Sequence, residues 1–194
     1  HLSIRRQRQM CIRDRWGANA DDLRPLGEML QQGHPAPLDV VALDAPEAHP
    51  QPPGRQWYGL FPAQWQDVPS AVDALKTKLL ELEGGELALA NTVLFGFSQG
   101  GAMALEVGCS LPLAGVISCS GYPHPDWTPS SRHPPVLLLH GEQDNIVPVA
   151  AMDAIWQRLN PSSRQRYRFN NGHTIPEEVM THLRDALVQM LGSD

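Results

Sequence analysis

Three residues in this chain could together make a nucleophile: Ser98, Asp144 and His173. Ser98 is the centre of Gly96-Phe97-Ser98-Gln99-Gly100, a G-x-S-x-G pentapeptide that exposes a serine hydroxyl when it turns from a strand into a helix. A serine hydroxyl is a weak nucleophile at neutral pH, so an imidazole must take its proton. A carboxylate must then fix the tautomer of that imidazole and stabilise its cation. His173, in Asn171-Gly172-His173-Thr174, and Asp144, in His140-Gly141-Glu142-Gln143-Asp144, supply those two groups. Their chain order, Ser then Asp then His, differs from the chymotrypsin and subtilisin orders.

Each residue also has a plainer reading. Asp144 suits the cap of a helix starting near Pro148, and His173 suits an ordinary loop. His140 ends an apolar strand, where a hydrogen-bonded structural histidine is expected rather than a base. Asp126 is a rival acid that precedes the wrong strand. His49, His124 and His133 sit in proline-rich loops and carry no metal-ligand spacing.

The elements that would position these groups alternate along the chain. Asn91-Thr92-Val93-Leu94-Phe95 is β-favouring, and Gly101 to Val107 is small, apolar and helix-competent. Helices are expected over 19–32, where Leu23, Leu26, Met29 and Leu30 share a face, and from Val68 to the glycines at 84 and 85. Two more are expected from Val149 to Leu159 and after Pro176. Short apolar strands are expected at Leu38–Leu43, Ala114–Cys119 and Val136–His140, with a more polar one at Gln165–Phe169. The pattern predicts one α/β domain with a mostly parallel, doubly wound sheet. Segment 44–62 reads as a long ordered loop. Its prolines and its aromatic pair, Trp57 and Tyr58, are expected to wall a substrate pocket, with simple packing of the two rings as the alternative.

Composition narrows the function classes. The 194 residues, 42% hydrophobic and 19% charged, suit a single globular domain. A net charge of −6 without a basic stripe argues against a nucleic-acid surface, and no apolar run approaches the ~20 residues of a membrane span. Cys11, Cys109 and Cys119 form no Cys-x-x-Cys pair, so neither zinc nor a disulfide framework is expected and a reducing cytoplasm is the natural compartment.

These motifs resemble the phospholipase/carboxylesterase family of α/β-hydrolases, which includes the acyl-protein thioesterases, and most of all its small bacterial carboxylesterases. The likeness rests on residues 96–101, on His140 to Pro148 and on Gly172-His173-Thr174-Ile175-Pro176. Ser120-Gly121-Tyr122, Arg55-Gln56-Trp57-Tyr58-Gly59 and Trp16-Gly17-Ala18-Asn19 support it. The resemblance implies a serine hydrolase that cleaves esters or thioesters through an acyl-enzyme without metal or cofactor. It also implies an oxyanion hole built from the amides of Gln99 and Trp16. Alternatives are a lysophospholipase or another acyl hydrolase with the same triad, or an inactive truncated relative.

Residues 1–15 depart from the family pattern, which has a hydrophobic strand ending in His-Gly there. Arginines stand at 5, 6, 8, 13 and 15, and unpaired charges do not enter a core. The expectation is therefore a hydrolase domain over 16–194 whose first strand is missing or replaced, preceded by a segment foreign to the fold. Apolar edges left by such a loss would favour a dimer, for which the sequence carries no signature.

Overall fold

The computed structural model describes residues 8–13, 23–83 and 88–192. Six strands form one parallel sheet. They are β1 (Arg8–Arg13), β2 (Leu38–Leu43), β5 (Thr92–Phe97), β6 (Gly115–Cys119), β7 (Val136–Gly141) and β8 (Arg164–Phe169), in spatial order β2-β1-β5-β6-β7-β8. A two-residue ribbon, β3 (Glu47–Ala48) with β4 (Arg55–Gln56), braces the long loop after β2. Helices α1 (Arg24–Gly33) and α5 (Met180–Leu191) cover one face of the sheet. Helices α2 (Val68–Glu83), α3 (Gln99–Gly108) and α4 (Ala150–Arg158) cover the other.

Strand alternation divides the core between those faces. Along β5, Val93, Phe95 and Phe97 pack with Leu30, Leu183 and Leu187, whereas Leu94 packs with Leu75, Met103 and Leu138. Every residue of β5, β6 and β7 is buried, which is why these strands read as continuous apolar runs. The edge strand β8 is polar: Arg166 and Arg168 pair with Asp153 of α4 at 2.8 and 2.5 Å. Charge on an edge strand discourages further pairing.

Of the two expectations for the first strand, missing or replaced, the first is overturned. Arg8–Arg13 pairs parallel with β2 on one side and with β5 on the other, Met10 lying opposite Val40 and Val93. The slot is filled, and it is interior to the sheet. Charge averaged over fifteen residues hides this, because the strand uses only six of them. Its arginines stand at the two ends, and its middle is Met10-Cys11-Ile12. Backbone pairing on both sides satisfies the N–H and C=O groups whatever the side chains are, and Met10 is fully buried. The domain boundary expected between residues 15 and 16 lies outside the described residues.

The order in which strands are laid down reverses at β1. The chain leaves it outward to β2, then returns to β5 on its other side. Such a switch point opens a crevice at the carboxyl ends of the strands, which is where Ser98 follows β5.

If β1 carries the weight of a central strand, Met10→Ala lowers stability by about 2–5 kcal/mol, as for other large-to-small core changes. Denaturant unfolding measures this; a variant as stable as the parent would show that the core does not depend on this strand.

Candidate active site

Ser98 sits between the last residue of β5 and the first of α3 with φ 55° and ψ −119°. A positive φ at a serine is a strained conformation, and the neighbours enforce it. The Ser98 amide donates to the Cys119 carbonyl at 2.9 Å, and the Ser98 carbonyl accepts from the Ala102 amide at 3.1 Å. Gly96 permits the turn: a Cβ there would stand 2.1 Å from the Gly100 carbonyl oxygen. The pentapeptide is therefore the sharp strand-to-helix turn expected from its glycines.

Asp144 and His173 lie on loops that follow β7 and β8. The two loops are fastened together, since the Glu142 amide donates to the Phe169 carbonyl at 2.9 Å and the Gln143 amide to Asn171 at 3.0 Å. Gly141 lets them approach, because a Cβ there would fall 2.3 Å from the Gly172 oxygen and 2.4 Å from the Asn171 oxygen. Across this junction His173 Nδ1 donates to Asp144 Oδ2 at 2.7 Å. The other carboxylate oxygen, Oδ1, accepts from the amides of Ile146 and Val147 at 3.0 and 2.8 Å. Asp144 thus holds its own loop and an imidazole together, and does not cap α4.

The Asp144 side chain is fully buried. Burial works to raise its carboxyl, but the hydrogen bonds from His173 and the Val147 amide outweigh that and hold it below the usual carboxylate range. His140 is buried beside it and donates from Nε2 to the Val147 carbonyl at 2.8 Å. Burial holds its imidazole below the ordinary histidine value, against the pull of Val147 and Asp144. It has the structural role expected of it.

Ser98 and His173 line one cavity of about 700 Å³. The proline-rich loop closes one side with Pro52, Pro53 and Phe61, and Ile146 and Pro148 close another. A second cavity, of about 760 Å³, lies between α1 and α5 and shares His173 but lacks Ser98. The ring of Phe97, 4.8 Å from that of His173, lines this second space. Of the two, only the first is lined by Ser98 as well as His173.

Trp57 and Tyr58, expected to line the pocket, are core residues instead, 2% and 0% exposed, and the packing alternative describes them. The loop's wall is made by its prolines and by Leu60, Phe61 and Trp65. Trp16, expected to give the second oxyanion amide, lies outside the described residues.

Two features escaped the sequence reading. Gln99 clamps the long loop to the elbow: its Oε1 accepts from the Trp57 amide at 3.0 Å and its Nε2 donates to the Tyr58 carbonyl at 2.8 Å. Tyr122, in the Ser-Gly-Tyr run that follows β6, lines the cavity. Its place after a strand's carboxyl end was the signal available for it. Among the described residues, no group of three or more His, Cys, Asp or Glu is placed to hold a metal ion, and no helix is long and apolar enough to cross a membrane.

Comparison with known proteins gives one consistent result. A family model described as Phospholipase/Carboxylesterase matches residues 34–191. Acyl-protein thioesterase 1 of Gibberella zeae is 42% identical over 66 residues, which cover 29% of this chain and only 28% of that protein's length. The crystal structure of esterase PE8 superposes with a TM-score of 0.87 at 28% identity, covering 95% of this chain and 93% of that one. Acyl-protein thioesterase 2 of Zea mays shares the fold, with a TM-score of 0.72 at 20% identity over 96% of this chain and 94% of that one.

The two depressed groups act on stability with the same sign. On acidification the unfolded chain takes up each proton first, so stability present at neutral pH is lost as pH falls. The loss begins at His140 below its ordinary 6.5 and continues at Asp144 below its ordinary 3.8. His140→Gln keeps a donor for Val147 and removes the first step. Between about pH 7 and pH 5, its denaturant midpoint should therefore fall less steeply than the parent's; parallel curves would contradict this.

Proposed function

The chain belongs to the phospholipase/carboxylesterase family, and on that premise we propose that it is a serine hydrolase cleaving carboxylic esters or thioesters through an acyl-enzyme. The observation that carries this reading is the 2.7 Å bond from His173 to Asp144 at the wall of the cavity that also holds Ser98.

That bond fixes the tautomer. With the Nδ1 proton committed to Asp144, the neutral imidazole has its lone pair on Nε2, the nitrogen that serves as base. Nε2 takes the Ser98 proton as Oγ attacks the substrate carbonyl carbon. The tetrahedral intermediate places its oxyanion against the Gln99 amide and, as the family resemblance implies, that of Trp16. The amide of Gln99 opens α3, whose first N–H groups have no acceptor within the helix. On collapse, the Nε2 proton passes to the departing alcohol or thiol. Water then enters, gives its proton to Nε2 and attacks the acyl carbon, and that proton returns to Ser98 as the acid leaves.

The buried Asp144 carboxylate stabilises the imidazolium through the intermediate and stays ionised throughout. The wall residues Pro52, Pro53, Phe61 and Ile146 present apolar surface to an acyl or alcohol chain.

A fluorophosphonate probe should label the parent and leave Ser98→Ala unlabelled. With p-nitrophenyl butyrate, Asp144→Asn should lower kcat by about 10⁴-fold with little change in KM, because the amide stabilises the wrong tautomer. Undiminished labelling of Ser98→Ala would refute the reading.

A further inference from the structure

A second chain of hydrogen bonds lies behind the cavity and takes no part in the proton transfers. Glu106 Oε2 is 2.9 Å from His124 Nδ1. His124 Nε2 is 2.7 Å from the Tyr58 hydroxyl, and that hydroxyl is 2.8 Å from the hydroxyl of Tyr122. Tyr58 is fully buried and His124 nearly so. The rings form one cluster, with Trp65 5.9 Å from Tyr58 and 6.3 Å from Tyr122.

The polarity of the chain follows from its end. The Glu106 carboxylate can only accept, so His124 Nδ1 donates to it. With the imidazole neutral, Nε2 then accepts from the Tyr58 hydroxyl. Tyr58 has spent its one proton, so its oxygen accepts from Tyr122. Burial pushes both phenols above the ordinary tyrosine range, and both therefore remain neutral donors. Tyr122 in turn lines the cavity that contains Ser98.

The chain begins on the helix that also holds the long loop. Glu106 lies two turns along α3 from Gln99, which grips the backbone of the same loop at Trp57 and Tyr58. Helix α3 therefore holds the loop at its backbone through Gln99, and at the Tyr58 hydroxyl through Glu106 by way of His124. It does so directly behind the cavity wall.

We propose that Tyr122 is a specificity-determining wall of the Ser98 cavity, and that Tyr58, His124 and Glu106 are positioning residues that hold it against the acyl chain of the substrate. The proposal rests on the acyl-hydrolase reading for its substrate class. Removing any bond in the chain frees the Tyr122 ring and loosens the wall, and the effect grows with the length of acyl chain that touches it.

Tyr58→Phe and Tyr122→Phe keep both rings and delete the same bond from opposite sides, so either carries the test if the other fails to fold. With p-nitrophenyl octanoate and acetate, the octanoate-to-acetate ratio of kcat/KM should fall by about tenfold in each variant, mainly through KM. The double variant should lie within about twofold of the worse single one, because the chain acts as a unit. Equal losses on both esters, or additive losses in the double variant, would overturn the proposal.

A second readout needs no chemistry. In the Ser98→Ala protein, octanoate binding followed by calorimetry should weaken by about tenfold when Tyr58→Phe is added. Absent binding, or binding indifferent to Tyr58, also overturns the proposal. Failure of the serine reading would appear separately, as persistent fluorophosphonate labelling of Ser98→Ala.

Discussion

Burying a carboxylate costs several kcal/mol unless its oxygens are occupied by donors, and Asp144 meets that condition by gathering the structure around itself. One oxygen takes the amides of Ile146 and Val147, and the other takes His173 from the loop after the next strand. The requirement propagates outward. It needs β7 and β8 in register, with Gly141 opposite Phe169. It needs no side chain at 141, so that the two loops can touch. It also needs His140 buried alongside, with its proton committed to the Val147 carbonyl. The imidazole is held by the same interaction that makes the buried charge tolerable. The placement of the His173 imidazole and the solvation of one acid are therefore a single problem here.

The other half of the site is arranged from α3. This helix begins just after Ser98; its Gln99 grips the long loop after β2 directly, and its Glu106 reaches the Tyr58 hydroxyl of that loop by way of His124. A loop rich in proline has few backbone donors with which to anchor itself. Side chains from a rigid helix make up that deficit, and the cavity wall is positioned by the element that positions the serine.

Much of this was legible in the sequence, and the reasons for the rest are physical. Strands β5, β6 and β7 are buried on both faces, so their apolar runs announced them. Ser98, Asp144 and His173 stood out because each follows a strand and their chain order matches one known arrangement. Strand β1 was illegible because an interior strand can be held by its two neighbours with only three apolar residues at its middle, and charged flanks outweigh those three in any average. Trp57 and Tyr58 were placed on the wrong side of their wall. Residue type signals that an aromatic ring is buried or binds something, but not which. The Glu106–His124–Tyr58–Tyr122 chain joins residues up to 66 positions apart, a separation at which no spacing rule operates.

One residue illustrates how such a site resists simple interpretation. In the proposed mechanism Gln99 offers its amide to the oxyanion, while its side chain, wholly buried, fastens a loop some forty residues earlier in the chain. Gln99→Ala keeps the amide and discards the fastening. A damaged variant would then be misread as evidence about oxyanion stabilisation, when what it lost was a staple between two parts of the molecule. For redesign, the position is closed as a means of tuning turnover, and changes in the reach of the pocket are better sought among the prolines and Phe61 that the staple holds in place.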